Sequence, residues 1–164
     1  MNVICFHDPD EENGYLSNWF FCRFTVDNLE FSSAEQFMMY KKAMCFNDSD
    51  TSMKILKTDN AAEIKKLGRL VVGYNENHWN GVRQIMVYEG LLQKFYQNKG
   101  LKNRLLDTGD SLLAECAVND RIWGIGLSMH DPERFCQAKW KGKNLLGYTL
   151  MAVRDKLRNT DPTY

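Results

Sequence analysis

The sequence predicts a helix-rich α+β fold, a single compact domain over residues 1–164 that opens on short strands. Three observations predict it. Residues 3–31 carry aromatic and β-branched residues interrupted by turn residues, in VICFHD, DPDEENG and YLSNWFFCRFTVDNLEF, the pattern of short strands joined by turns. From Ser33 onward apolar residues recur at intervals of three and four, the spacing of amphipathic helices. A chain of 164 residues, 44% hydrophobic and 26% charged, has the size and composition of one soluble globular domain with its own core.

Taken in order, Asp27-Asn28 is the expected hairpin tip between FCRFTV and LEF. Ser32 or Ser33 then caps a helix over 33–45, with Glu35 or Gln36 at the third position and Phe37, Met38, Met44 and Cys45 near helical spacing. FNDSDTS, at 46–52, reads as a loop, and Thr51 or Ser52 starts a short helical turn, MKILKT. Asp59 precedes a helix carrying Ala61, Ala62, Ile64, Leu67 and Leu70. VGYNENHWNG, at 72–81, reads as a loop. The longest helix follows with Val82, Ile85, Met86, Glu89, Leu92, Phe95 and Tyr96, and Asn98-Lys99-Gly100 stops it. A short helix after Leu101 ends at Gly109, and LLAECAV, at 112–118, is a short apolar strand. A last helix over 144–157 aligns Leu146, Leu150, Met151, Val153 and Leu157.

Several function classes are disfavoured. Lys plus Arg number 21, as do Asp plus Glu, so no net basic field favours non-specific nucleic-acid binding. The opening residues lack a basic stretch followed by a long apolar run, and no segment reaches about 18 consecutive apolar residues, so neither secretion nor a membrane span is signalled and a cytoplasmic location is expected. Cys5, Cys22, Cys45, Cys116 and Cys136 include no C-x-x-C pair, and His7, His78 and His130 include no i, i+4 pair. No metal site and no cofactor are therefore expected.

Four clusters could carry chemistry. Glu35 and Lys42 lie seven residues apart on the first helix, on one face and about 10 Å apart along the axis, so carboxylate and ammonium could flank one small ligand. A solvated charged face is the alternative. Glu115 interrupts an apolar strand, where a buried carboxylate is costly unless paired or used. Pointing outward from a half-exposed strand is its alternative. Asp120 follows in a turn, and Trp123 precedes Gly124, with Gly126 beyond. These glycines would let backbone approach a ligand beside an indole able to stack on a base; a core Trp next to a flexible turn reads equally well. Asn18, in GYLSNW, offers a donor and an acceptor. Gly142, Lys143 and Asn144 precede the last helix, whose amides and dipole favour a phosphate. No Walker motif is present, and Asn144 as a simple helix cap is the plainer account.

Together these segments resemble the YbiA-like family, also called NADAR for its association with NAD and ADP-ribose metabolism. The resemblance rests on G-Y-L-S-N-W at 14–19, S-S-A-E-Q-F-x-x-x-x-K at 32–42 and L-G-R at 67–69. It continues through Trp79, Met86 and Lys94-Phe95, L-x-E-x-x-x-N-D-x-x-W-G-x-G at 113–126 and G-K-N-x-L-G-Y-x-L-M-x-x-R at 142–154. It implies one YbiA-like domain over 1–164 and an N-glycosidase, a hydrolase cleaving the bond between a ribosyl carbon and a base or amine nitrogen. Implied substrates are reactive phosphoribosyl intermediates of riboflavin synthesis, or ADP-ribose on guanine, with DNA as the modified substrate. The family commonly has His after the motif Glu, where this chain has Gln36.

Breaking such a bond builds positive charge on the sugar C1 and negative charge on the departing nitrogen, so it calls for a carboxylate near the sugar and a donor near the base. Glu35, Lys42, Glu115 and Asp120 are the expected catalytic residues. Glu35 would orient or activate water or the sugar hydroxyls, and Lys42 would protonate the leaving group or capture the opened sugar as a Schiff base. Trp79 and Trp123 would stack on or wall the base, while Arg69, Lys143 and the start of the last helix would hold phosphate. Asn18, Gly124 and Asn144 complete the expected binding set. Neutral net charge favours a small phosphoribosyl substrate over a duplex, although Lys139, Lys141, Lys143 and Arg154 could form a local basic rim. The competing class is a nucleotide-binding module without hydrolysis, favoured by Gln36. A helical adaptor would need an exposed apolar stripe beyond the core periodicity.

Overall fold

The computed structural model describes residues 2–160. The chain forms two compact units, Phe21–Asn98 and, from both ends of the sequence, Met1–Phe20 with Lys99–Tyr164. The fold is α+β and helix-rich.

In the unit Phe21–Asn98, β2 (Phe24–Val26) and β3 (Leu29–Phe31) pair antiparallel, with Phe24 opposite Phe31 and Val26 opposite Leu29. Asp27 and Asn28 both have positive φ, 50° and 65°, the backbone that a two-residue hairpin of type I′ requires and that short polar side chains tolerate. Phe24, Phe31 and Phe37 bury their rings together, with centroids 5.0 Å apart for Phe31 and Phe37. Helix α1 (Ala34–Cys45) starts where the Ser33 hydroxyl accepts from the Gln36 amide at 3.1 Å, the N-cap read from the sequence.

Helix α2 (Ser49–Leu56) begins earlier than expected, because Asp48 is the cap and accepts from the Thr51 amide at 3.1 Å. Asn60, not Asp59, caps α3 (Ala61–Arg69) by accepting from Glu63 at 3.0 Å. The expected loop at 72–81 is shorter than its polarity implied. Asn75 accepts from His78 at 2.9 Å, so α4 (Glu76–Gln97) takes in Glu76 through Gly81 as exposed first turns around a buried Trp79. Gly90 is the contact point of α4 with α1: an added Cβ would lie 2.4 Å from the Phe37 ring. Lys94 is wholly buried on α4, and burial pulls its ammonium down to about 8 against the opposing influence of Cys22.

In the other unit, β1 (Val3–Phe6) and β4 (Leu112–Glu115) pair parallel, Val3 opposite Leu112 and Phe6 opposite Glu115. Helix α6 (Leu145–Thr160) covers β4 with Leu146, Leu150, Val153 and Leu157 buried. Its Gly147 is required by close approach, since a Cβ there would fall 2.1 Å from the Leu113 carbonyl oxygen. Helix α5 (Lys99–Leu106) starts directly after Asn98, so Lys99 and Gly100 occupy its first turn instead of spacing it from α4. Single 3-10 turns stand at Gly14–Leu16, Pro132–Phe135 and Gln137–Lys139. Arg154 does not belong to a basic rim. It is buried and donates to the Thr108 hydroxyl at 2.8 Å and the Ser111 carbonyl at 2.9 Å.

Candidate active site

The first set of side chains hangs from α1. Seven residues bring Lys42 back to the azimuth of Glu35 within about 20°. Glu35 is buried and Lys42 half-buried. The Lys42 ammonium donates to the Gly68 carbonyl at 2.7 Å and lies 4.3 Å from the centroid of the Tyr74 ring. Burial holds Lys42 below the usual lysine range, with Glu35 opposing that shift and Arg69 adding to it. Glu35, Lys42 and Arg69 therefore share one electrostatic neighbourhood, and Arg69 ends α3 with its side chain exposed. Neither the Gly68 carbonyl nor Tyr74 carries a sequence signal for this role. A carbonyl acceptor leaves no mark in the side-chain pattern, and Tyr74 stands in a loop without periodicity.

Gln36 does not take the place of a titrating group. Its side-chain oxygen accepts from the Ser32 amide at 2.7 Å and the Ser32 hydroxyl at 3.1 Å, and its nitrogen donates to the carbonyls of Ile55 at 3.0 Å and Thr58 at 2.8 Å. All four hydrogen-bonding positions of a primary amide are filled. The residue ties the start of α1 to the end of α2. Trp79 is 5% exposed in the first turn of α4, so the expected stacking face is spent in the core.

The second set lies along β4 and the segment after it. Glu115 ends the strand half-buried, with its amide donating to Asn144 Oδ1 at 3.1 Å and its carbonyl accepting from Ile125 at 2.8 Å. Asp120 Oδ1 accepts from the amides of Ile122 at 2.9 Å and Trp123 at 2.8 Å, which fixes the loop that presents the half-buried Trp123. Gly124 was expected to let a ligand approach, but its own chain fills that space: a Cβ would sit 2.9 Å from the Glu115 and Asp120 carbonyl oxygens. Asn18 is buried, and its Oδ1 accepts no hydrogen bond among the described residues.

The expected phosphate seat at the start of α6 is corrected. The amides of Lys143, Asn144, Leu145 and Leu146 donate to the carbonyls of Arg121, Gly124, Ile122 and Trp123 at 2.9 to 3.2 Å. Those four donors are spent, and the Lys143 side chain is exposed. Asn144 does not cap the helix with its side chain. It is wholly buried with φ of 53°, and its Nδ2 donates to the Leu113 carbonyl at 2.8 Å. Asn144→Ala should therefore cost about 3 kcal/mol, from two buried backbone groups left without partners and a strained left-handed residue. Chemical denaturation checks this, and a loss under about 1 kcal/mol, the scale of one ordinary bond, would refute the clamp. Among the described residues, no three His, Cys, Asp or Glu side chains gather as a metal set, and no helix is long and apolar enough to cross a membrane.

Residues 5–158 match the family model of the NADAR domain. The chain is 39% identical over 161 residues to N-glycosidase R617 of Acanthamoeba polyphaga mimivirus, covering 93% of this chain and 95% of that protein. It is 33% identical over 159 residues to riboflavin biosynthesis protein VVA0006 of Vibrio vulnificus, covering 97% of this chain and 40% of that longer protein. The NMR structure of the Escherichia coli protein YbiA superposes with a TM-score of 0.80 at 26% identity, covering 96% of this chain and 86% of that one.

Proposed function

Because the chain belongs to the NADAR domain family, we propose that it is an N-glycosidase hydrolysing a small phosphoribosyl substrate, a ribosylamino-pyrimidine phosphate of the kind formed in riboflavin synthesis. The observation that carries this reading is the Glu35 and Lys42 pair: a buried carboxylate and a half-buried ammonium on one helix face, coupled in charge. Relatives named N-glycosidase and riboflavin biosynthesis protein support the reaction and the substrate class.

In the reaction, water adds to the sugar C1, the C–N bond breaks with its electron pair going to nitrogen, and that nitrogen gains a proton. A carboxylate near C1 offsets the charge of the forming cation and holds the water. Glu35 is assigned that role. Lys42 supplies the proton to the leaving nitrogen, or as free amine captures the opened sugar aldehyde. A lysine held below its usual range gives up its proton more readily in either role. Arg69, at the end of α3, is assigned to phosphate in the same unit as Glu35 and Lys42. In the other unit, Asp120 holds the loop of Trp123, and Glu115, Trp123, Asn18 and Lys143 are that unit's own candidate contacts to a sugar, base or phosphate. Gln36, filled on all sides by structural bonds, no longer argues for a module that binds without hydrolysing.

The substrate class is tested by following base release between about 50 and 200 mM salt, the interval in which multi-phosphate contacts lose most affinity. A single phosphate predicts a modest fall in rate on the ribosylamino-pyrimidine phosphate. Steeply salt-dependent release of ADP-ribose from guanine in DNA, with nothing released from the pyrimidine, would transfer the activity to the nucleic-acid substrate. Tight nucleotide binding without release of either base would leave a binding module.

A further inference from the structure

We propose that Tyr74 is a positioning residue that seats the Lys42 ammonium, holding it between an aromatic face and the Gly68 carbonyl. The inference rests on Lys42 acting in catalysis. The ammonium lies 4.3 Å from the Tyr74 ring centroid and 2.7 Å from the Gly68 oxygen. An ammonium over a ring face is held by the ring quadrupole, and the carbonyl fixes its direction.

The short loop carrying Tyr74 is tied down on both sides. Asp48, already the cap of α2 through one carboxylate oxygen, accepts the Val72 amide with the other at 2.8 Å. Those amides hold the Asp48 carboxyl below its usual range. Gly73 turns the chain at φ of 74°. On the far side, Asn75 caps α4. The ring itself meets the edge of Phe46 at 5.4 Å between centroids, and Phe46 in turn meets His78 at 5.7 Å. Tyr74 is nonetheless 44% exposed. A large aromatic left this open, in a loop anchored by a carboxylate and a helix cap, is placed for contact with Lys42 more than for core packing. The charges that reach Lys42 are Glu35 from its own helix and Arg69 from the end of α3. They set its proton affinity in opposite directions, and the neutral ring adds a stabilisation of the ammonium independent of both.

The test titrates Lys42 directly, following its ε-carbon by NMR in the full chain without substrate and assigning the signal with Lys42→Arg. Tyr74→Leu keeps the bulk and removes the quadrupole, so the Lys42 midpoint should fall by about half a pH unit, the size of an exposed cation–π contact. Tyr74→Phe should restore the wild-type midpoint, because the face and not the hydroxyl holds the ammonium. Tyr74→Trp, with the richest face, should raise it, and provides the readout if the Leu variant fails to fold. Midpoints that stay within error across the series, or a Phe variant that behaves like Leu, would overturn the proposal. Loss of the catalytic reading of Lys42 would appear separately, as Lys42→Ala with turnover intact, while the titration still decides what Tyr74 does.

Discussion

Lys42→Ala should lower turnover by about 10²- to 10⁴-fold, the range contributed by a positioned proton donor or acceptor, while the protein melts within a few degrees of wild type. Burial disfavours the Lys42 ammonium, so removing it takes away a charge whose desolvation is only partly offset. Little stability should be lost. Glu35→Gln keeps the shape of a buried side chain and removes its charge, and should cause a comparable loss of rate. The two roles open to Lys42 have opposite pH signatures. As proton donor, it should lose activity as pH rises through a midpoint below the usual lysine range. As Schiff-base nucleophile, it should gain activity over the same interval, and borohydride should trap a covalent sugar adduct. The stability sign follows from the same depression. Between its folded and unfolded pKa values the folded chain holds fewer protons at this site than the unfolded one, so folding becomes more favourable as pH rises through that window. If both variants unfold, Glu35 and Lys42 are structural and the assignment fails.

Gln36→Leu should destabilise the chain by about 3–5 kcal/mol, because the four groups that the amide now serves each lose a hydrogen bond and most of them are buried. For a domain of this size that is a fall of about 10 °C in melting temperature. Gln36→His should fall between, since a neutral imidazole offers one donor and one acceptor where four positions are used. The rate per folded molecule should hold in both variants at temperatures where they are folded. Thermal melts and active-site titration separate the two quantities. A Gln36→His enzyme that is as stable as wild type but faster would show that this position has a proton-transfer duty.

Helix-forming stretches were legible wherever side chains repeat against a core, as in α1 and α6. Their limits were less so, because Asp48 and Asn75 cap helices from within polar runs that resemble loops. The hairpin at Asp27-Asn28 was legible because positive φ selects a short list of residues. Parallel pairing of β1 with β4 was not, since strands about a hundred residues apart leave no local mark on one another. At the candidate site, helical geometry placed Glu35 and Lys42 on one face but could not tell a ligand-flanking pair from a solvated charged face; the family resemblance supplied that reading. What Asn144 and Gly124 do was hidden, because both answer to backbone atoms: the carbonyl of Leu113, the amide of Glu115, and the carbonyls of Glu115 and Asp120.

The carbonyls of residues 121–124 that take up the first amides of α6 give the Trp123 loop a second identity. It is the cap of that helix, built from main chain instead of from a side chain. A replacement loop of another length would strip the helix of its start, and with it the cover over β4. Changing the length of this loop should therefore destabilise α6, whereas exchanging the exposed Arg121 side chain leaves the cap in place.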